Sequence, residues 1–266
     1  MKTPTVERFD ISLKTPVGHI STSVEVPTGF VPITSIVPLM QRLTDEAQAL
    51  EEQDAKEAGQ QVSCAKGCAA CCRMLVPVSA PEAFALKAYV RTLPDERRAR
   101  ITERMAAAAD QLERAGLIDR LTAIAESGRP LSDDDMEPVN QDYYALRMPC
   151  PFLEDELCSI YDHRPSACRE LLVTTPAELC EDLAHNPVRP LPVSVRMSTA
   201  LALLWSELTG GPSKLIALPI ALSWAERHTE ALTRRWLGTE LLEKALDHIG
   251  RFLSQEFSIR GSKGRG

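Results

Sequence analysis

Cysteine is missing from most of this chain. Eight thiols occur in 266 residues, yet none precedes Cys64 or follows Cys180. Cysteines used only as small core hydrophobes would scatter, so the empty flanks point to ligands or bridges. A basic excess is missing too. The net charge is −7, the opposite of the balance shown by a dedicated nucleic-acid binder, and no nucleic-acid partner is expected. Long apolar runs are also absent: the longest, 215–225, is too short for a bilayer and contains Pro219. No apolar segment follows Met1 to suggest a secretory signal. Together these absences predict a soluble, cytoplasmic protein with no membrane partner. In a reducing compartment clustered thiols bind metal more often than they bridge; a secreted disulfide framework is the competing arrangement. At this length the core is ample, and disulfides are not needed for stability. Neither an internal repeat nor a Gly-rich phosphate loop is visible.

What the chain does have is thiols in two blocks. Four fall within nine residues, Cys64-x3-Cys68-x2-Cys71-Cys72, and four more follow at Cys150, Cys158, Cys168 and Cys180. Thiolates are soft ligands that suit zinc and iron–sulfur clusters, and either site typically takes four. Eight fill two such sites, or one with thiols to spare. Cys68 and Cys71 have the spacing that lets two sulfurs meet one metal. Cys71 and Cys72 are adjacent, so in a helix their side chains diverge by about 100° and do not easily share one tetrahedral ion. They suit two centres, or two irons of one cluster. The first four positions also run i, i+4, i+7, i+8, and a buried helical stripe of small residues would read the same way. Lys66, Arg73, Arg147, Arg164 and Arg169 lie near the thiols and are candidates to offset thiolate charge, or ordinary surface residues. Asp162 and His163 are candidate non-sulfur ligands or proton carriers, against the competing role of a hydrogen-bonded structural histidine. His185 comes after them.

Periodicity predicts a mainly α fold, a helical single domain with a short N-terminal β-hairpin and a loop-rich cysteine core. Three segments follow: 1–60 (hairpin and helix), 61–190 (cysteine core) and 191–266 (helical extension with a basic, glycine-rich tail). Alternation in Val6–Leu13 and His19–Val26 around Pro16-Val17-Gly18 predicts the hairpin. Helical stripes run through Leu39, Leu43, Ala47 and Leu50, and through Ile101, Met105, Ala108 and Leu112, continued by Leu117, Leu121 and Ile124. Ser79-Ala80-Pro81-Glu82 and Thr175-Pro176-Ala177-Glu178 read as capping boxes, the second opening a helix that carries Cys180. Ser132 starts another helix, and Pro165 opens one carrying Cys168. Residues 149–161 read as a small hairpin with a cysteine on each arm. Leu201 to Leu208 and Leu242 to Leu253 complete the helices, and Trp205, Trp224 and Trp236 read as packing.

The combination of Cys64-x3-Cys68-x2-Cys71-Cys72 with Cys150-Pro151-Phe152-Leu153, Cys158-Ser159-Ile160-Tyr161, Arg164-Pro165 and Cys168-Arg169 resembles the YkgJ-type cysteine-cluster family, described as a zinc- or iron-chelating domain. The resemblance covers roughly Ser63 to Cys180 and implies metal chelation by these cysteines. Some members are associated with flagellin lysine N-methylation, which implies a protein-lysine methyltransferase using S-adenosylmethionine as an alternative. No Gly-rich loop after a strand supports an ordinary Rossmann-type methyltransferase. The first three cysteines also have the spacing of a radical S-adenosylmethionine cluster, but that chemistry needs alternating strands and helices after the motif, where this chain reads as helix. The leading expectation is a protein whose cysteines hold an iron–sulfur cluster (4Fe–4S) or zinc. Its role would be redox, or auxiliary to a modification pathway with a protein partner.

Overall fold

In the computed structural model residues 5–182 and 185–253 are described; the basic tail from Arg260 lies outside them. Strands β1 (Val6–Thr15) and β2 (Gly18–Pro27) pair antiparallel, closed by Thr15 opposite Gly18. Their alternation buries Phe9, Ile11 and Leu13 on one strand and Ile20, Val24 and Val26 on the other, as a one-sided hairpin requires. After β3 (Phe30–Val31) comes α1 (Val37–Glu57), which has proline in its first turn and buries Leu39, Leu43 and Ala47. Next is β4 (Pro77–Val78), then α2 (Ala80–Thr92), opened by the Ser79/Glu82 capping box. Helices α3 (Asp95–Arg114), α4 (Ile118–Ala125) and α5 (Asp133–Ala145) follow.

The second cysteine block lies on β5 (Leu153–Glu154), β6 (Leu157–Cys158) and the short α6 (Ser166–Glu170). Helix α7 (Met197–Thr209), strand β7 (Ile216–Ala217), helix α8 (Leu218–Arg227), strand β8 (Trp236–Leu237) and helix α9 (Gly238–Leu253) complete the described chain. Every sheet among the described residues is a two-stranded antiparallel pair: β1–β2, β3–β8, β4–β7 and β5–β6. The strands therefore act as clips between helices.

One buried apolar cluster runs from Phe9 to Ile249. At its centre the Phe84 ring of α2 lies 5.7 Å from Trp205 of α7 and 5.4 Å from Trp224 of α8. Truncating such a side chain costs about 3–5 kcal/mol. Trp205 and Trp224 pack inside the core as predicted, and the half-buried Trp236 on β8 packs against it.

The cysteine core is loop-rich as expected: Cys64 and Cys68 lie in a loop, and only Ala70–Arg73 forms a turn of 3₁₀ helix, so the competing helical-stripe reading falls. Two local expectations need correcting. Cys150 precedes β5 rather than lying on it. Cys180 sits in a 3₁₀ turn, Ala177–Asp182, and the Thr175 hydroxyl accepts from Arg189 N at 3.3 Å.

Candidate metal centre

The first cysteine loop is held by the chain that leads to Cys180. Ser63 N donates to Val173 O at 2.9 Å, and its hydroxyl donates to Thr175 O at 2.5 Å. Val173 N donates to Cys64 Sγ at 3.3 Å. Gly67 has φ +103°, a conformation open to glycine that lets the loop reverse before Cys68. The turn bearing Cys71 and Cys72 then packs against the turn bearing Cys180, which is itself buried.

The second block reaches the same turn from the other side. Cys150 N donates to Cys72 O at 2.7 Å, and Leu153 N donates to Cys150 O at 2.9 Å, leading into the β5–β6 pair. Asp155 and Glu156 take φ of 49° and 57° in its turn. Arg73 grips Glu156 with both terminal nitrogens, at 3.2 and 2.7 Å, tying that turn to the first block. From α3, Arg104 donates to Pro151 O at 2.7 Å and pairs with Glu154, while Arg97 donates to Ser159 O at 2.9 Å.

Cys168 rides on α6, and α6 is anchored by buried polar groups. The Glu82 carboxylate, 2% exposed, accepts from Ser79 in the capping box and from Ser166 N at 2.7 Å. Arg169 pairs with Asp45 of α1 and donates to Arg164 O at 2.9 Å and Asp162 O at 2.6 Å. Gln41 and Gln48 of α1 donate to Arg164 O and Glu170 O, both at 3.1 Å. The polar side of α1 is therefore the mount for α6. Nothing local in the sequence marks the contacts of this segment with Glu82, Gln41, Asp45 and Gln48, which span more than 80 positions.

Cys71 is felt electrostatically by thiols of both blocks. A hydrogen bond with Cys72, then burial, drives the Cys71 pKa far above the usual thiol range. Burial likewise raises Cys64 and Cys180, both of which also feel Cys71 and Cys68. It pushes Cys150 up to about 12, and raises Cys158 and, strongly, Cys168; Cys71 adds to all three. Arg164 opposes the rise at Cys64, Cys71, Cys158 and Cys168. Its guanidinium stacks 3.8 Å from the Tyr161 ring centroid, and Lys66 Nζ lies 5.2 Å from the same centroid. Arg73, Arg147 and Arg169 are engaged with Glu156, the Tyr144 ring and Asp45 respectively. His163 stacks on Tyr89 with centroids 3.7 Å apart, and the exposed His185 lies 3.0 Å from Asp182.

No group of three or more His, Cys, Asp or Glu side chains among the described residues forms a ready-made coordination shell. The donor chemistry nonetheless fits a soft cation: the free cysteines are half-buried or buried beside one another. Burial and mutual repulsion keep such thiols protonated until a metal supplies compensating charge. A cavity of about 440 Å³ opens beside Cys68, lined among others by Arg73, Glu156, Glu178 and Glu181.

The eight cysteines are all free, and they lie in loops, turns and short elements carried on a helical frame. Residues 63–184 match the family model CxxCxxCC, described as "Putative zinc- or iron-chelating domain". No curated protein and no solved structure matches the chain. No helix among the described residues is long and apolar enough to cross a membrane.

Proposed function

We propose that the protein holds an iron–sulfur centre through thiolates drawn from Cys64, Cys68, Cys71, Cys72, Cys150, Cys158, Cys168 and Cys180, with zinc as the alternative metal. The observation that supports this reading is that the turn bearing Cys71 and Cys72 meets both blocks, accepting Cys150 N at Cys72 O at 2.7 Å and packing against the turn that bears Cys180. The vicinal pair Cys71–Cys72 favours a multinuclear centre, because two adjacent thiols can serve two irons of one cluster. Such a centre would supply one-electron chemistry when bound, and zinc would supply a structural clamp. The protein's own residues do the rest. Arg164 and Lys66 place positive charge at the rim of the thiol group, Arg73 locks the two blocks together, and Glu82 and Arg169 hold α6 in place.

The role is redox, or auxiliary to a protein-modification pathway with a protein partner, in a reducing cytoplasm. The S-adenosylmethionine alternative rests on the family resemblance alone. Anaerobically purified protein is expected to be brown and to contain iron and acid-labile sulfide. Colourless protein with stoichiometric zinc replaces the iron reading with the structural one. Protein that takes up neither metal overturns both.

A further inference from the structure

We propose that the outer edge of β1 pairs antiparallel with the same edge of a second copy of this chain, about a two-fold axis at Ser12, joining two hairpins into one four-stranded sheet.

Strand β1 has β2 on one side and no strand on the other among the described residues. Helices α1 and α9 pack against β2, which leaves β1 as the outer strand. Thr28 N donates to Thr5 O at 2.9 Å, and the pairing runs on from there without a break to Thr15 opposite Gly18. In an antiparallel pair, bonded and non-bonded positions alternate. The odd-numbered residues of β1 therefore bond to β2, and the even-numbered ones turn their N–H and C=O groups outward. Val6, Arg8, Asp10, Ser12 and Lys14 thus offer a row of main-chain donors and acceptors along a ten-residue strand. Folds usually blunt such an edge with proline, a bulge or a very short strand. β1 has none of these.

Complementarity selects the partner and the register. The side chains of the same five residues are exposed, while Phe9, Ile11, Leu13 and Thr15 are buried. Pairing even residues with even ones keeps each set on its own face. An axis at Asp10 sets that carboxylate opposite its own copy, and one at Ile11 sets Arg8 opposite Lys14; like charges directly opposite are destabilising. An axis at Phe9 pairs Arg8 with Asp10 but brings Glu7 opposite the buried Ile11. An axis at Leu13 sets Asp10 opposite Pro16. The axis at Ser12 sets Asp10 opposite Lys14 twice, and Ile11 opposite Leu13 on the apolar face. Residues 9–15 of each strand then pair.

Sedimentation equilibrium of the full chain, reduced and anaerobic so that no disulfide joins copies, tests this. The wild type is expected to dimerise. Asp10→Lys and Lys14→Asp each replace two attractive pairs with two repulsive ones and should weaken the dimer about tenfold. The double variant swaps the charges and should regain the wild-type Kd. Ser12→Pro removes the outward N–H at the axis and no bond to β2, and should be monomeric with the circular dichroism of the wild type. A wild type that stays monomeric up to about 100 μM, well above a micromolar Kd, overturns the inference, and a slowly exchanging Ser12 amide in that monomer would show the chain's own residues on the edge. A dimer that no variant weakens lies on another surface, and a double variant no tighter than the single ones refutes the register. Either result overturns the inference.

Discussion

Glu82 closes two helix starts with one carboxylate. Its bonds to Ser79 complete a capping box legible in the sequence, because the signal spans four residues. Its bond to Ser166 N was not legible, because that donor lies 84 positions away. The same division holds at the thiols: their identity and grouping can be read from the sequence, their neighbours cannot. His248 is a second buried polar residue that pattern alone hides. It is 3% exposed on α9, with Nε2 2.9 Å from Glu207 Oε2 and neither ring nitrogen aligned for a hydrogen bond. Burial, then the nearby Arg251, lowers its pKa below the usual 6.5, while Glu207 and Asp247 oppose them. The folded chain thus takes up this proton less readily than the unfolded one. The stability involved is fully present above 6.5 and is lost as pH falls through the folded value. Urea denaturation at about pH 7.5 and about pH 5.5 should show the wild type weakening on acidification and His248→Gln weakening less. Equal slopes would contradict this.

Among the elements, the long helices and the N-terminal hairpin were legible because each repeats its period over several turns or alternations. The cysteine core was legible as loop-rich, although its spacing also imitates a helical face; Gly67 with the Ser63–Val173 contact decides for loop. The β5–β6 pair is too short to hold its place unaided, and α3 supplies the grip. Arg104→Met removes the bond to Pro151 O and the pairing with Glu154. Charge-assisted bonds of this kind contribute about 1.5–3 kcal/mol. Hydrogen exchange at the amides of 152–159 should quicken in that variant while α1 keeps its protection. Unchanged exchange in the pair would show that Arg104 does not hold it.

Over the whole molecule, the apolar core and the thiol group are largely separate assemblies. The buried cluster is built by the hairpin and the helices, with Cys150 and Cys158 only packed against its edge. Chelation should therefore leave the helical circular dichroism of the protein nearly intact while lowering its melting temperature. Metal present at about a thousandfold over its Kd contributes roughly 4 kcal/mol, which for a chain of this size corresponds to about 8–16 °C. A melting temperature indifferent to chelator, or collapse of the helices on metal removal, would count against that separation.

The contact between Cys72 O and Cys150 N joins residues 78 positions apart. A ribosome adding about 5–20 residues per second needs roughly 4–16 s to bridge that gap. Throughout that interval the early sulfurs are outside the ribosome while the later ones have yet to emerge. Loading is thus tied to the clock of translation, and an oxidant that strikes during the wait meets bare thiols.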